Sequence, residues 1–165
     1  MSYFSKVTYG QYIDDLRDYP IWQKTSAEDY DDLKIPKRAT SGSAGYDLYA
    51  PFDIELKPGE YNKFPLGIRW VADAPRTFLM IVLRSGLGFK YGVRLANSTG
   101  IVDSDYFCSN NEGHIWAKLT SEKPVTIKKG EAILQGIILK YETVDNDTSE
   151  EKRNGGFGST DRKGN

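Results

Sequence analysis

Three segments carry residue types that could bind a phosphorylated substrate and hydrolyse it. The first, LRSGLGFKYG at residues 83–92, places Arg84, Ser85 and Gly86 together where an apolar run enters a predicted loop. Successive backbone N–H groups in a glycine turn, together with a hydroxyl and a guanidinium, can hold an anion. The same tripeptide also occurs in ordinary surface turns. By itself it indicates either an anion site or a plain loop.

The second segment, RLANSTGIVDSDYF at residues 94–107, carries a pair of carboxylates. Asn97 and Gly100 lie in a predicted hairpin connection, and Asp103 and Asp105 follow two residues apart. Side chains at that spacing share one face of a strand. One carboxylate could then activate water as a general base while the other orients it or faces solvent. A simple Asp-Ser-Asp turn explains the same residues without chemistry.

The third segment is the C-terminal stretch RNGGFGSTDRKGN, in which Phe157 stands between glycines and Ser159 and Thr160 follow. Glycine loses so much backbone entropy on folding that such a run is unfavourable inside a helix or strand. The simplest interpretation of the segment is a disordered terminus.

The elements that would position these segments are predicted to be β-strands. From about Phe52 onward, short runs rich in Val, Ile, Leu, Tyr and Phe are separated by turn signals such as KPGE and KKGE. The run IWAKLT alternates as a half-buried strand does, whereas FLMIVL does not alternate and predicts a strand covered on both faces. The pattern indicates an all-β domain.

The chain divides into three predicted parts. Residues 1–35 form an N-terminal extension, because residues 9–33 have acidic pairs and loosely helical apolar spacing around Pro20, which predicts two short helices or an extended arm. Residues 36–144 form the β core. Residues 145–165 form a flexible arm, since its first nine residues, DNDTSEEKR, contain no apolar side chain.

The composition limits the partners and the setting. A chain of 165 residues with 39% apolar residues can bury one core, which predicts a single domain. Its 22 basic and 23 acidic residues give no overall attraction to a nucleic acid polymer. No apolar run approaches the roughly 20 residues of a membrane helix. Because Cys108 is the single cysteine and no secretory signal pattern is present, we expect a soluble, cytoplasmic protein.

Taken in order, the segments resemble the five motifs of the trimeric dUTPases, and the similarity covers roughly Pro36 to Asn165. The matching segments are SAGYDLYA at 43–50, RSGLGFKYG at 84–92, NSTGIVDSDY at 97–106, GEAILQ at 130–135 and RNGGFGST at 153–160. A longer loop after the third motif and an added N-terminal arm are similar to members from Gram-positive bacteria and their phages.

The resemblance implies an all-β, jelly-roll-like barrel assembled as a homotrimer, with active sites at subunit interfaces. It implies hydrolysis of dUTP to dUMP and pyrophosphate by water attack on the α-phosphorus, with Asp103 as general base. Mg²⁺ would lie across the triphosphate, and Asp47 would belong to the network around its bound waters. Because Mg²⁺ keeps several waters and substrate phosphates as ligands, no dense protein cage is required.

The resemblance also implies roles in phosphate binding. Ser85 and Gly86 would contact the α- and β-phosphates, while Arg84 and Gln135 would contribute to phosphate binding and interface order. The arm would close on the γ-phosphate through Arg153, Ser159 and Thr160. Its closure would exclude water and order the triphosphate.

For the nucleoside, the resemblance implies that backbone groups of the hairpin containing Asn97 and Gly100 pair with the uracil edge. Tyr106 would pack on the deoxyribose and leave no room for a 2′-hydroxyl. Phe157 would stack on the uracil.

Two features depart from the family pattern. Arg153 lies one residue nearer the double glycine than usual, so either Arg153 or Lys152 would reach the γ-phosphate, and Asp161 replaces a usual glycine. The inserted FCSNNE at residues 107–112 holds Cys108 just before the single histidine, His114. One cysteine and one histidine fall short of a structural zinc site.

Other hypotheses remain open. A dCTP deaminase shares the trimeric β fold, although the hairpin and the complete final motif favour a dUTPase. A nucleotide-sensing module without hydrolysis would explain the altered arm. The aromatic residues of the N-terminal extension could pack on the barrel or bind another protein.

Overall fold

The structure is a computed structural model that describes residues 1–17 and 27–149. Within this part the chain consists mainly of β-strands, with three short α-helices and one 3-10 turn at Tyr106–Cys108. The helices are α1 (Tyr9–Leu16), α2 (Ala27–Asp31) and α3 (Ser85–Tyr91). The strands are β1 (Tyr3–Lys6), β2 (Lys37–Arg38), β3 (Tyr46–Tyr49), β4 (Ile54–Leu56), β5 (Asn62–Pro65), β6 (Ile68–Val71), β7 (Thr77–Leu83), β8 (Arg94–Leu95), β9 (Gly100–Asp103), β10 (Trp116–Thr120), β11 (Val125–Ile127) and β12 (Ala132–Lys140).

The strands form two principal sheets. One has five strands in the order β2-β3-β12-β7-β9, and the other has three in the order β5-β10-β8. Strands β1 and β6 form one further pair, and β4 and β11 form another. All of these strand pairs are antiparallel. The all-β prediction is confirmed, and the layers match the jelly-roll-like barrel that the resemblance implies.

One core lies between the sheets. Leu48 and Ile133 come from the five-stranded sheet, Phe64 and Leu119 come from the three-stranded sheet, and all four are at most 1% exposed. Removal of such apolar side chains from water is the main force that holds antiparallel layers together. The core therefore fixes the positions of β7, β8 and β9, which carry most of the candidate site.

Strand β7, the predicted doubly covered strand, is fully covered on one face only. Leu79 and Ile81 are buried, whereas Phe78, Met80 and Val82 are half-buried. The side chains of the second face are apolar and stay partly accessible in the single chain. The rest of this chain therefore covers the second face of β7 only in part.

The N-terminal extension is packed against the barrel. Helices α1 and α2 lie where the sequence predicts short helices or an arm, but strand β1, which pairs with β6, was not predicted. Val7, Tyr12 and Leu16 form a second buried cluster with Leu33. Burial raises the pKa of the Tyr12 hydroxyl well above its ordinary value, and the charge of Asp29 adds to this. The packing prediction for this extension is supported by the buried cluster.

Residues 141–149 form neither helix nor strand. The rest of the predicted arm, residues 150–165, lies outside the described residues, as does the region around Pro20. Among the helices described, none is long and apolar enough to cross a membrane.

Candidate active site

A polar cluster at one end of β7 brings together three of the predicted site residues. Arg84 Nη1 lies 3.6 Å from Asp47 Oδ2, and Gln135 Nε2 donates a hydrogen bond of 3.4 Å to Asp47 Oδ1. The backbone fixes this arrangement, because Gln135 pairs with Asp47 across β12 and β3. Burial raises the pKa of Tyr49, and the charge of Asp47 adds a smaller increase, while the charge of Arg84 lowers the pKa. The cluster combines a cation, an amide and a carboxylate near one end of the inner strands β3, β12 and β7.

Close backbone approach explains the glycine beside this cluster. A Cβ atom at Gly45 would lie 3.1 Å from Gln135 Cβ, which is tighter than ordinary van der Waals contact. Gly45, the glycine of SAGYDLYA, thus lets the backbone that enters β3 approach the side chain of Gln135. A larger residue here would require the Gln135 side chain to shift by a few tenths of an ångström.

The segment that starts at Ser85 is a helix, so the prediction of a loop at this position is wrong. Arg84 occupies the N-cap position of α3, and Gly92 ends the helix with a left-handed φ of 63°. Ser85 and Gly86 lie in the first turn, where backbone N–H groups have no partner within the helix. A surface depression of about 320 Å³ adjoins Arg84 and Ser85 and is also lined by Phe89. The predicted anion-binding groups are therefore accessible, although they belong to a helix and not to a glycine loop.

The predicted hairpin segment, residues 96–99, connects β8 of the three-stranded sheet to β9 of the five-stranded sheet. These two strands pair with β10 and β7 and not with each other, so the prediction of a true hairpin is wrong and the segment is a turn between the sheets. The turn contains Ser98 with a positive φ of 61°, and the Thr99 N–H donates a 2.6 Å hydrogen bond to the Asn97 carbonyl. Gly100 is buried and pairs with Ile81 of β7. Asn97 is exposed, so its amide and the neighbouring backbone can reach a ligand.

The argument that placed two carboxylates on one strand face is wrong. Strand β9 ends at Asp103, and Asp105 belongs to the following turn with φ −93° and ψ 0°. A turn residue does not follow the two-residue alternation of a strand. Asp103 is exposed at the end of its strand and remains the candidate general base.

Asp103 and the polar cluster share one face of the five-stranded sheet but lie far apart. Asp103 pairs with Phe78, whereas Gln135 pairs with Val82, and cross-strand partners point to the same side. Phe78 and Val82 are four residues apart along β7, which corresponds to about 13 Å. Within one chain, the candidate base cannot act on a phosphate held at Gln135.

Tyr106 follows strand β9, and two hydrogen bonds hold its hydroxyl in place. Its hydroxyl donates to the His114 carbonyl at 3.0 Å and accepts from Asn111 Nδ2 at 2.9 Å. The residue is 3% exposed in the single chain, so only a small part of it faces solvent. These bonds give the position of Tyr106 little freedom.

A zinc site at Cys108 and His114 finds no support. Cys108 is exposed, whereas His114 is completely buried and both of its ring nitrogens are engaged, by Asp15 and by the Gly67 N–H. Across residues 1–17 and 27–149, no group of three or more His, Cys, Asp or Glu side chains is arranged to hold a metal ion.

A cavity of about 410 Å³ opens beside the turn between β8 and β9 and was not predicted. Asn97 lines it together with Trp116, Lys63, Asn111 and Asp15. The Lys63 ammonium lies 4.6 Å from the centre of the Trp116 ring. Only Asn97 belongs to a predicted motif. The other residues come from four separate segments, and no sequence spacing signals that folding brings them together.

Six residues singled out in the final segment lie outside the described residues, and their predicted roles stay predictions. They are Lys152, Arg153, Phe157, Ser159, Thr160 and Asp161.

Comparison with known proteins gives a consistent result. A family model described as dUTPase matches residues 31–161. The deoxyuridine 5'-triphosphate nucleotidohydrolase of Lactococcus lactis subsp. lactis is 38% identical over 133 residues, which cover 78% of this chain and 88% of that protein. The corresponding protein of Laribacter hongkongensis is 41% identical over 135 residues, covering 78% and 89%.

Solved structures show the same similarity. The dUTPase from Streptococcus mutans superposes with a TM-score of 0.65 at 28% identity, over 87% of this chain and 98% of that chain. A dUTPase variant from phage phi11 of S. aureus, described with a structural Mg(II) ion, gives a TM-score of 0.59 at 16% identity, over 72% and 91%. At that identity the phage enzyme supports the fold alone.

Proposed function

The chain belongs to the dUTPase family and is a dUTP diphosphatase that hydrolyses dUTP to dUMP, and we propose that Asp103 activates the attacking water. The water attacks the α-phosphorus, and pyrophosphate leaves. In-line attack on phosphorus needs a positioned water and stabilised oxygens more than a covalent nucleophile. The reaction supplies dUMP and limits incorporation of uracil into DNA.

The observation that carries the proposal is the separation of Asp103 from the polar cluster on a shared sheet face. A general base must lie within hydrogen-bonding reach, about 3 Å, of the proton it removes. The distance of about 13 Å along β7 is far larger. A complete site therefore combines Asp103 of one subunit with Arg84, Ser85 and Gln135 of another, which supports a homotrimer with interfacial active sites.

The same sheet face supports close subunit packing. Met80 pairs with Ile101 and with Ile137, so three apolar side chains lie between the two polar ends. Ile101 is 48% exposed in the single chain. Covering this surface in a trimer would stabilise the assembly and place the polar ends beside those of neighbouring subunits.

Phosphate binding is assigned to the groups around α3. Ser85 and Gly86 contact the α- and β-phosphates, while Arg84 and Gln135 supply a guanidinium and an amide. The planar guanidinium suits phosphate oxygens, since it donates two parallel hydrogen bonds.

Mg²⁺ is the proposed cofactor, and the residues present fit a metal bound mainly by substrate and water. The Asp47 carboxylate is held by Arg84 and Gln135 at the cluster, where it can accept hydrogen bonds from metal-bound waters. The bound ion would neutralise charge on the triphosphate. Asp47 orients the surrounding waters, and Arg84 compensates for the carboxylate.

Recognition of the nucleoside is assigned to the turn between β8 and β9. Backbone groups from Asn97 to Gly100 pair with the uracil edge, so a cytosine amine would meet a donor. Tyr106 excludes a 2′-hydroxyl, and Phe157 stacks on the base. The arm contacts the γ-phosphate through Ser159, Thr160 and Arg153, with Lys152 as the alternative cation.

The proposed setting is the cytoplasm of a bacterial cell or of a phage-infected host. The substrate is a free nucleotide, and the near-zero net charge of −1 gives no general attraction to a nucleic acid polymer. A regulatory protein partner is compatible with this proposal but is not needed for the reaction.

The direct test measures pyrophosphate and ammonia release from dUTP, dCTP, dTTP and UTP side by side in the presence of Mg²⁺. The proposal predicts pyrophosphate from dUTP alone. Ammonia release from dCTP would identify a deaminase instead. Tight dUTP binding without turnover would indicate a nucleotide sensor that uses the altered arm to signal occupancy.

A further inference from the structure

Two segments outside the five motifs meet at the cavity beside the turn between β8 and β9. One is helix α1, which precedes residue 31, where the family match begins. The other is the inserted loop at residues 107–112. Asp15 of α1 and Asn111 of the loop line the same cavity as Asn97. The N-terminal extension therefore reaches the part of the molecule that is assigned to the nucleoside.

Helix α1 is held rigidly enough to define a wall of this cavity. The Thr8 hydroxyl accepts a 3.2 Å hydrogen bond from the Gln11 N–H and caps the helix. Thr8 also binds Glu112 of the inserted loop, through its backbone N–H at 2.8 Å and its hydroxyl at 2.7 Å. Tyr12 and Leu16 are buried beneath the helix. The helix and the loop thus form one connected unit.

Within this unit, Asp15 contacts a completely buried histidine. Its Oδ2 lies 2.5 Å from His114 Nδ1, and His114 is completely buried. The Gly67 N–H donates a 2.7 Å hydrogen bond to His114 Nε2, so Nε2 is an acceptor and Nδ1 carries the proton toward Asp15. Gln11 Nε2 donates to the same carboxylate oxygen at 2.9 Å. The carboxylate therefore fixes both the tautomer and the orientation of the imidazole.

The backbone of the same residue, His114, forms hydrogen bonds with Tyr106 and Asn111. The Tyr106 hydroxyl donates to the His114 carbonyl at 3.0 Å, and the His114 N–H donates to the Asn111 carbonyl at 3.0 Å. Asn111 Nδ2 in turn donates to the Tyr106 hydroxyl at 2.9 Å. Gly113 permits this compact path, because its φ is +73° and a Cβ there would lie 2.5 Å from Phe107 Cα. Tyr106 follows Asp103 by three residues, so the network ends within three residues of the candidate base along the chain.

We infer that Asp15 is a positioning residue of the nucleotide site: through His114 it holds Asn111, which lines the same cavity as Asn97, and Tyr106, which is buried behind Asn111. The inference rests on the proposed function, since it takes this cavity as the nucleoside end of the dUTP site. The N-terminal extension is then part of the substrate site and not only a support for the barrel. Its loss weakens nucleotide binding before it changes the chemical step.

The test uses full-length Asp15→Ala, Asp15→Asn and Asn111→Ala proteins, with Asp14→Ala as the matched control. Asp14 is on the same helix, is exposed, and pairs only with Arg17 among the described ion pairs. The dissociation constant of dUMP is measured by calorimetry, KM and kcat are measured with dUTP, and thermal melting reports folding. Binding of dUMP is chosen because it requires no turnover.

Asp15→Ala is expected to weaken dUMP binding and raise KM by about tenfold each, the size expected when one charge-assisted hydrogen bond is lost. The kcat value should change much less. Asp15→Asn keeps an oxygen that accepts from His114 Nδ1, so it should restore binding. Asp14→Ala should behave as the unaltered protein. If Asp15→Ala does not fold, Asn111→Ala carries the same expectation, because it acts on Tyr106 from outside the helix.

A folded Asp15→Ala or Asn111→Ala protein with unaltered dUMP affinity and KM would overturn the inference, even if its melting temperature fell. Equal impairment in Asp15→Asn and Asp15→Ala would also overturn it. Failure of the unaltered chain to release pyrophosphate from dUTP would count instead against the proposed function, and the dUMP comparison would still decide the role of Asp15.

Discussion

Asp103 ends strand β9 with an exposed side chain, and the family resemblance gives it the role of general base. The surrounding backbone supports this role, because β9 is held by four residue pairs against strand β7. A base carried on a rigid strand end keeps its direction toward the attacking water.

Replacing Asp103 by Asn should lower kcat by about 10²–10⁴-fold, because the amide cannot accept the proton of the attacking water. Binding of dUMP should persist. Phe157→Ala provides the comparison, since loss of base stacking costs about 1–3 kcal/mol and should act mainly on KM. Steady-state pyrophosphate release measures both effects. Full activity of the Asp103→Asn protein would refute the assignment.

At the scale of elements, the N-terminal extension and the inserted loop are joined through Glu112. Burial raises the pKa of this carboxyl, but hydrogen bonds from the Thr8 hydroxyl and backbone outweigh it, with help from the charge of Arg69. The net result is a pKa below its ordinary value of 4.5. A depressed carboxyl pKa contributes stability that is present above the unfolded pKa and is lost as the pH falls through the folded pKa.

The Glu112→Gln protein should therefore be less stable than the unaltered protein at neutral pH, and the difference should shrink below the ordinary pKa of 4.5. Urea unfolding at matched protein concentration, followed from pH 7 to pH 3, measures this difference. Glu142→Gln, which changes an exposed carboxylate outside the strands, serves as control. A stability difference that does not change with pH would show that ionised Glu112 does not hold the extension.

The arm should contribute to catalysis without contributing to the fold. A chain that ends at Lys152 keeps the whole described core, so it should melt as a trimer like the full chain. Its turnover should nevertheless collapse, because the glycine-rich segment no longer closes on the triphosphate. Analytical ultracentrifugation and pyrophosphate release test the two halves of this expectation. Loss of the trimer on truncation would count against a lid role.

Much of the element pattern was accessible from the sequence, because strand periodicity and turn residues are local signals. Helix α3 was not, since Gly86 and Gly88 have low helix propensity and predict a loop. Its position is set by tertiary packing, in which the partly buried side chains of Leu87 and Tyr91 contact the core. The contact between Asp15 and His114 spans 99 residues of sequence and has no local signature.

At the scale of the whole molecule, the residues assigned to the proposed site fall into two groups that cannot meet within one chain. Asp103 and the cluster around Asp47 and Gln135 lie on one face of the five-stranded sheet, about 13 Å apart. Apolar side chains of β7, β9 and β12 separate them. Threefold assembly through this face would join unlike ends of neighbouring subunits, as a head-to-tail interface does in a closed ring.

Mixed trimers test this account most directly. Asp103→Asn and Ser85→Ala proteins, each expected to be strongly impaired alone, are unfolded together, refolded at equal concentration and assayed for pyrophosphate release from dUTP. If the two residues act from different subunits, random assembly gives roughly a quarter of the sites both intact groups, and activity returns to that level. If both residues of a site came from one chain, no mixed trimer would contain an intact site. Activity no higher than that of the separate variants, in trimers shown to be mixed, would contradict the account.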